Sequence, residues 1–330
     1  MGWRKPLQRK QGLKILAYGA DTTGKSVFAL TFPKCGIVDT ESKLGVYENN
    51  PKYNKNIVGI ADTVDYYEVI GLAEDIVKKP DNCDTFVTDS ETNLYDDMQV
   101  SVMEVEEEKA KKFKKNIDDA TIQQRGWGKI KLNNARFRNL KAQMSAQGTT
   151  IISIAHMKEV FDDETKKKIG EKPDLKAGSG HDYDVILRFY KTGSKPNFKF
   201  FAEVEKDTTE TFKLGTVIEN PSYKNWGSYI EANKKNASVS TSYDKAIEQN
   251  MENMRKDDEE IAQEEVAAVK TEIIRICSDN GGSSNSVVMD ILKKHEPSVG
   301  NPNKIKDIDK LKILLAELKK EFEPTDEENE

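Results

Sequence analysis

The chain has 330 residues, 36% of them hydrophobic and 33% charged, which suits one sizeable core plus an appendage and some exposed chain. No apolar run approaches the roughly 18 residues that a membrane-spanning helix needs, and the basic start MGWRKPLQRK lacks the apolar segment of a secretory signal. The three cysteines, at positions 35, 83 and 277, share no metal-ligand or redox spacing, so the composition predicts a cytoplasmic protein with buried thiols.

The charge is distributed unevenly along the chain. The net charge of −6 argues at first against a nucleic-acid partner. However, residues 1–240 sum to +3 and residues 241–330 to −9, and residues 111–141 hold ten Lys or Arg against two Asp. Because a phosphate backbone responds to local charge, the basic stretch keeps nucleic acid among the expected partners.

The first third of the chain predicts strands alternating with helices. Residues 13–18 have the pattern of a buried strand, and KSVFALTF that of a helix ended by Pro33. Two short strands, CGIVDTE and DTFVTDS, are predicted next, with a helix over 66–78 before the second of them. This alternation is typical of an α/β protein with a mainly parallel sheet.

The middle of the chain completes that sheet. A helix is predicted over 129–147, followed by TTIISIAH, residues 149–156, a continuously apolar run typical of a central strand covered on both faces. The segments YDVILRFY and NFKFFAEVEKD predict a hairpin joined by KTGSKP. We therefore expect a parallel central sheet flanked by helices, with a later antiparallel edge.

The composition changes near Asn233, where polar and Ser-rich residues predict a linker. Beyond it the apolar spacing predicts helices over 259–277, around 286–295 and over 305–322. The expected organisation is a core over 1–232, a linker over 233–258, a helical module over 259–322 and an acidic tail over 323–330. The tail is expected either to aid solubility or to compete for the basic segments.

One segment carries a specific phosphate-binding signal. GADTTGKS fits G-x-x-x-x-G-K-[ST], a loop whose backbone N–H groups cradle nucleotide phosphates, and a strand before it and a helix after it supply the required context. In this interpretation Lys25 reaches the β- and γ-phosphates and the Ser26 hydroxyl binds Mg²⁺; the alternative is a chance Gly-Lys-Ser turn. The residues predicted to contact ATP are Gly19, Ala20, Asp21, Thr22, Thr23, Gly24, Lys25, Ser26 and Val27.

Three polar residues follow later strands. Asp89, after FVT, is predicted to hold the Mg²⁺ shell, with helix capping as its alternative. Glu41 is predicted to orient water from a strand beside the P-loop strand, unless it is a solvated turn residue. His156 ends the central strand at the edge where ligands gather, so it either contacts the γ-phosphate or is structural.

Five segments occur along the chain in the order GADTTGKS, IVDTES, FVTDS, IISIAH and AEVEKD. Together they resemble the RecA-type recombinase core over roughly residues 10–232. More specifically, they are similar to compact phage nucleotide-binding proteins on that core, which act as single-strand annealing or recombination ATPases. The resemblance implies a RecA-like P-loop NTPase fold. It also implies that Glu41 is the catalytic base and His156 the γ-phosphate sensor.

The resemblance further implies a homo-oligomer in which a basic residue reaches the nucleotide of a neighbouring subunit. Lys206, in EVEKD, is the first candidate for that residue, and Arg188 and Lys191 compete with it. Only about a dozen residues precede the first core strand. The long N-terminal oligomerisation domain of bacterial recombinases is therefore not expected. A ring and a filament are equally compatible with the sequence.

In RecA-like proteins, single-stranded DNA is held by the segments after the Asp strand and after the sensor strand. Here these are residues 111–141 and the Lys- and Gly-rich residues 158–180, predicted to be a long loop. Among the aromatic residues of the first segment, Trp127 lies between glycines and is predicted to sit in a loop and stack on bases. Phe137 is predicted to belong to the core, and Phe113 is a further stacking candidate.

The sequence thus predicts an Mg²⁺-dependent ATPase that binds single-stranded DNA and promotes annealing or strand exchange. A hexameric helicase or helicase loader on the same core is one alternative. A nucleotide-gated adaptor is another, in which the C-terminal module recruits a single-strand-binding protein.

Overall fold

The computed structural model describes residues 6–236, 243–297 and 300–322. The chain divides into two compact units, Met1–Thr241 and Ser242–Glu330. The first is an α/β unit and the second is helical. Within the described ranges, no helix is long and apolar enough to cross a membrane.

The strands are β1 (Lys14–Gly19), β2 (Cys35–Asp39), β3 (Ile57–Asp62), β4 (Thr85–Asp89), β5 (Thr150–Ala155), β6 (Met157–Phe161), β7 (Lys168–Pro173), β8 (Val185–Thr192), β9 (Lys199–Asp207) and β10 (Val217–Glu219). The helices of the α/β unit are α1 (Lys25–Ala29), α2 (Gly45–Glu48), α3 (Pro51–Asn54), α4 (Tyr66–Lys78), α5 (Glu91–Lys112), α6 (Gln124–Ala146) and α7 (Gly227–Lys234). The second unit contains α8 (Tyr243–Asp279), α9 (Ser286–His295) and α10 (Ile308–Phe322).

Eight strands form one sheet in the order β10-β9-β8-β1-β5-β4-β2-β3. The six strands from β8 to β3 are parallel, whereas β9 and β10 are antiparallel to their neighbours. The predicted mainly parallel sheet with a later antiparallel edge is confirmed. The continuously apolar strand β5 lies between β1 and β4, where both of its faces are covered.

Among the described residues, two large apolar clusters pack on the sheet, beside a smaller one that includes Leu16, Tyr18 and Tyr183. One large cluster contains Phe28 of α1 and Trp226, whose rings meet edge to face with centroids 6.4 Å apart. The other large cluster contains Val69 of α4, Leu94 of α5 and Phe137 of α6. Phe137 therefore belongs to the core, as predicted. The thiols of Cys35, Cys83 and Cys277 are buried as well.

The structure contains elements that the sequence does not predict, and it corrects the placement of others. The unpredicted elements include β3 and α5. The apolar run of β3 is short, and α5 is mostly charged toward its end, so neither has a clear apolar period. Glu41 was expected beside the P-loop strand, but β5 and β4 lie between β1 and β2. The predicted loop over 158–180 contains the two-stranded β6–β7 hairpin, whose cross-strand pairs include Glu159 with Glu171.

The helical unit buries an apolar cluster that includes Ile273 of α8, Leu292 of α9 and Leu318 of α10. α8 begins at Tyr243 rather than at residue 259, so part of the predicted linker is helical. α9 matches the prediction, and α10 begins at Ile308 rather than at residue 305. Residues 237–242 of the predicted linker and the acidic tail over 323–330 lie outside the described residues.

A buried ion pair joins two helices on one side of the sheet. The Lys141 ammonium of α6 lies 2.9 Å from both carboxylate oxygens of Glu91, at the start of α5, and 3.0 Å from the Tyr183 hydroxyl. Burial alone would raise the pKa of Glu91, but the Lys141 charge and the hydrogen bonds hold that pKa below its usual range. Residue Glu91 follows Asp89 by two positions, so this pair fixes the helix that starts at the end of β4.

We expect Lys141→Met to lower the free energy of unfolding by about 3–5 kcal/mol, because it leaves the Glu91 carboxylate buried without its cation. Urea unfolding at pH 7 measures this loss, and adding Glu91→Gln to the same chain should recover part of it. Since the folded pKa of Glu91 is lowered, the pair stabilises above the unfolded pKa, and that stability is lost as pH falls through the folded value.

The control is Lys78→Met, which breaks the exposed pair with Asp75 and should cost at most about 1 kcal/mol. Equal losses in the two single variants would contradict the assigned role of the Lys141–Glu91 pair.

Candidate nucleotide-binding site

The loop between β1 and α1 depends on two glycines. At Gly19, with φ of 153°, a β-carbon would lie 2.2 Å from the carbonyl oxygen of Phe189 on β8. Gly24, with φ of 97°, adopts the left-handed conformation immediately before α1. The glycines of the motif are therefore required by packing against the neighbouring strand and by the turn into the helix.

Lys25 is held beneath this loop. Its Nζ donates hydrogen bonds of 2.8 Å to the carbonyl oxygens of Gly19 and Ala20. Burial lowers the pKa of Lys25, while the carboxylates of Asp89, Asp21 and Glu41 favour its charged form. The ammonium thus donates to backbone carbonyls that phosphate oxygens are able to replace as acceptors.

Ser26 and Asp89 meet across the sheet edge. The Ser26 hydroxyl donates a 2.5 Å hydrogen bond to Asp89 Oδ2. Burial raises the pKa of Asp89 to about 6; the Ser26 bond opposes this shift, and the neighbouring carboxylates of Glu41 and Asp39 reinforce it. Asp89 is therefore a desolvated carboxylate whose negative charge a cation would stabilise.

Glu41 and His156 also meet at this edge. His156 Nε2 lies 2.6 Å from Glu41 Oε1, and Lys43 Nζ lies 2.5 Å from Glu41 Oε2. Burial raises the pKa of Glu41, but the bonds from Lys43 and His156 more than offset burial and lower it. The carboxylate of Glu41 is thereby kept ionised and oriented by two side chains.

The backbone after β2 is organised by Asp39. Its carboxylate accepts hydrogen bonds from the backbone N–H of Glu41 at 3.1 Å and of Leu44 at 2.8 Å. This turn directs Glu41 toward His156. Asp39 is buried, and its backbone contacts indicate a structural role for its carboxylate.

These side chains line one cavity of about 370 Å³, together with loop residues from Asp21 to Val27. Ten residues predicted from the sequence share it, namely Asp21, Thr22, Thr23, Gly24, Lys25, Ser26, Val27, Glu41, Asp89 and His156, whereas the predicted Gly19 and Ala20 are not in its lining. The structure brings them together, and the catalytic and metal-binding roles assigned to them stay predictions. Lys43, which sequence reasoning missed, also lines the cavity, and no motif marked it.

The side chains of the cavity suit a metal ion that binds together with a nucleotide rather than on its own. Among the described residues, no group of three or more His, Cys, Asp and Glu side chains is placed to hold an ion. The Ser26 hydroxyl and the Asp89 carboxylate offer oxygen ligands, which Mg²⁺ prefers, and Mg²⁺ commonly takes one or two protein ligands plus phosphates and water. These residues fit Mg²⁺ bound together with a nucleotide.

Two of the basic residues considered for a neighbouring subunit's nucleotide, Lys206 and Arg188, do not line this cavity. Lys206 pairs with Ile186 at the start of β8, away from the P-loop end, and its Nζ donates to the Gly180 carbonyl oxygen. Arg188 forms ion pairs with Glu171, Glu203 and Glu205 of the same chain. The guanidinium of Arg188 is thus already satisfied by three carboxylates, which weakens its candidacy.

The first segment predicted to hold DNA, residues 111–141, runs from the end of α5 into α6. Lys111 and Lys112 end α5, whereas Trp127 lies in the first turn of α6 rather than in a loop, because the glycines beside it are accommodated in the helix. The Trp127 side chain is nonetheless 47% exposed, and Phe113 is 68% exposed. Both aromatic side chains are therefore accessible.

We expect Asp89→Asn to stabilise the ligand-free protein. Because the folded pKa of Asp89 is raised to about 6, the folded state holds this proton more tightly, and stability falls as pH rises from about 4 to 6. At pH 8 the substitution should raise Tm by about 2–4 °C, and at pH 4 the gain should disappear. Differential scanning calorimetry at both values measures this.

Asp118→Asn provides the control, since it removes the same charge from an exposed position and should leave Tm unchanged. A lower Tm for Asp89→Asn than for wild type at pH 8 would contradict the conclusion that burial raises the pKa of Asp89.

Comparison with known proteins identifies the α/β unit. Residues 11–209 match the family model described as an AAA domain. No curated protein matches the sequence.

Three of the similar solved structures are distant in sequence. The RadB recombinase has 15% identity and a TM-score of 0.40, covering 64% of this chain and 87% of that chain. The flagellar accessory protein FlaH from Methanocaldococcus jannaschii has 12% identity and a TM-score of 0.36, covering 64% and 85%. A KaiC-like protein from Pyrococcus horikoshii OT3 has 15% identity and a TM-score of 0.35, covering 60% and 80%.

The span matched by the family model exceeds half of the chain and contains the P-loop, Glu41, Asp89 and His156. The protein therefore belongs to the AAA-domain family.

Proposed function

We propose that this protein is an Mg²⁺-dependent, DNA-stimulated ATPase that binds single-stranded DNA and promotes annealing or strand exchange, of the kind that phages encode. It acts in the cytoplasm as a homo-oligomer. The observation that carries the proposal is the convergence of Lys25, Ser26–Asp89 and Glu41–His156 in one cavity at the ends of parallel strands.

Each residue has a distinct role in ATP hydrolysis. Lys25 exchanges its backbone acceptors for phosphate oxygens, and the loop N–H groups bind the remaining phosphate charge. Ser26 and Asp89 would hold Mg²⁺, which would supply positive charge to offset the charge that develops on the phosphates. Glu41, kept ionised by its two partners, orients the attacking water, and His156 responds to the γ-phosphate.

The DNA part of the proposal rests on exposure and charge. Four lysines, at 111, 112, 114 and 115, are exposed around the end of α5, and Phe113 is exposed among them. Trp127 lies exposed at the start of the next helix. Exposed cations next to aromatic rings suit single strands, since phosphates are neutralised while bases stack.

A short chain of contacts connects this surface to the nucleotide cavity. The Thr92 hydroxyl, in the first turn of α5, accepts from the backbone N–H of His156 at 2.9 Å and donates to the carbonyl oxygen of Asp174 at 2.8 Å. α5 therefore joins the end of β5 and the end of the β6–β7 hairpin at one terminus and carries the lysines at the other. A shift of His156 on γ-phosphate loss would act on this helix directly.

The test is the ATPase rate with and without single-stranded DNA. We expect DNA to stimulate wild type and Lys25→Ala to abolish turnover in both conditions. Replacing the four lysines at 111, 112, 114 and 115 with Ala should leave the basal rate intact and remove the stimulation, because the phosphate contacts are lost while the cavity is untouched.

A matched control removes four exposed lysines, at 52, 55, 78 and 79, at the ends of α3 and α4. That variant has the same charge change and should retain stimulation. A Lys25-dependent rate that DNA does not alter would contradict the DNA part and favour the nucleotide-gated adaptor.

A further inference from the structure

A lysine from β8 reaches the outer side of the phosphate loop. β8 pairs with β1 so that Phe189 lies opposite Gly19, and Lys191 is two residues beyond Phe189. Lys191 Nζ lies 2.5 Å from the hydroxyl of Thr22, in the middle of the loop. The P-loop thus has an ammonium on each side, because Lys25 bonds to its inner carbonyls.

The placement of Lys191 follows from strand alternation. Side chains two apart on a strand share a face, so Lys191 projects on the same side of the sheet as Phe189. The Phe189 ring contacts Phe28 of α1 at 5.4 Å between centroids, so this is the face that carries the P-loop helix. Arg188 and Tyr190 project to the other face.

The charge of Lys191 is available to a ligand. Within the part of the chain that the structure describes, Lys191 forms no ion pair; its other contact is the Phe198 ring, 5.0 Å from Nζ. Arg188, three residues earlier, is instead surrounded by three carboxylates. An unneutralised ammonium at the rim of a phosphate-binding loop is attracted to polyphosphate.

We propose that Lys191 is a second phosphate-contacting cation, supplied to the P-loop by the same chain. This inference rests on the proposed function, since it assumes that the cavity binds ATP. It changes the role expected from the resemblance, in which Lys191 competes with Lys206 for the nucleotide of a neighbouring subunit. Lys191 exchanges the Thr22 hydroxyl for a phosphate oxygen when ATP binds.

The first experiment measures equilibrium binding of fluorescent ATP and ADP analogues. Lys191→Met should weaken ATP binding about tenfold, as expected for loss of one charge-assisted contact. The loss should be smaller for ADP, which carries less phosphate charge. Lys191→Arg should bind ATP within about threefold of wild type, because it keeps the charge.

Two controls distinguish a direct contact of Lys191 with ATP from an indirect effect in which Lys191 only supports the phosphate loop. Thr22→Val removes the hydroxyl partner of Lys191, and adding Lys191→Met to that variant should weaken ATP binding by a further factor of about ten if the ammonium acts on ATP rather than through Thr22. Lys195→Met removes the same charge from the turn after β8 and should have no effect. If Lys191→Met has no further effect in the Thr22→Val background, or if Lys195→Met weakens binding as much as Lys191→Met, the direct contact is overturned.

A mixing experiment decides whether the contact lies within one chain. Chains with Lys25→Ala, which keep Lys191, are mixed with Lys191→Met chains, and nucleotide occupancy is measured. A contact within one chain predicts no recovery of affinity, whereas recovery would overturn it in favour of a neighbouring subunit. If wild type fails to bind ATP, the proposed function fails as well; if wild type and Lys191→Met bind equally, only this inference fails.

Discussion

The parallel register of four strands determines the geometry of the site. Across β1, β5, β4 and β2, the paired residues Ala17, Ile154, Asp89 and Asp39 form one row. Two positions further along their chains come Gly19, His156, Glu91 and Glu41. These four residues therefore leave the sheet at one level. They are the glycine that opens the P-loop, the histidine of the cavity, the glutamate that anchors α5 and the glutamate of the cavity.

That arrangement concentrates charge in a region with little solvent. Asp39 and Asp89 are adjacent in the row. Burial raises the pKa of Asp89, and the nearby carboxylates of Glu41 and Asp39 raise it further. Neighbouring carboxylates of this kind reduce the stability of a ligand-free protein, and a divalent cation offsets the repulsion when it binds. The repulsion between these carboxylates therefore favours the binding of a nucleotide that carries a divalent cation. The Lys141–Glu91 pair stabilises the helix that starts at this edge.

Much of the site was predictable because its signals are local. The P-loop is contiguous, so its glycines and Lys25 were identified from spacing alone, and Asp89, Glu41 and His156 each follow an apolar strand. The sheet order was harder to infer, because it depends on crossovers between distant segments; Glu41 was placed next to β1, whereas two strands intervene. The contact of Lys191 with Thr22 joins residues far apart in sequence and has no local pattern. Helix α5 was missed because its long charged end is solvated and carries no apolar period.

The central claim is that the cavity performs ATP hydrolysis with Glu41 orienting the water. Single-turnover hydrolysis by Glu41→Gln, measured beside ATP affinity, tests it most directly, because the amide keeps the shape and loses the charge. The account predicts ATP affinity close to that of wild type and hydrolysis slowed about 10²–10⁴-fold, the range for loss of a general base. Hydrolysis at the wild-type rate would contradict it.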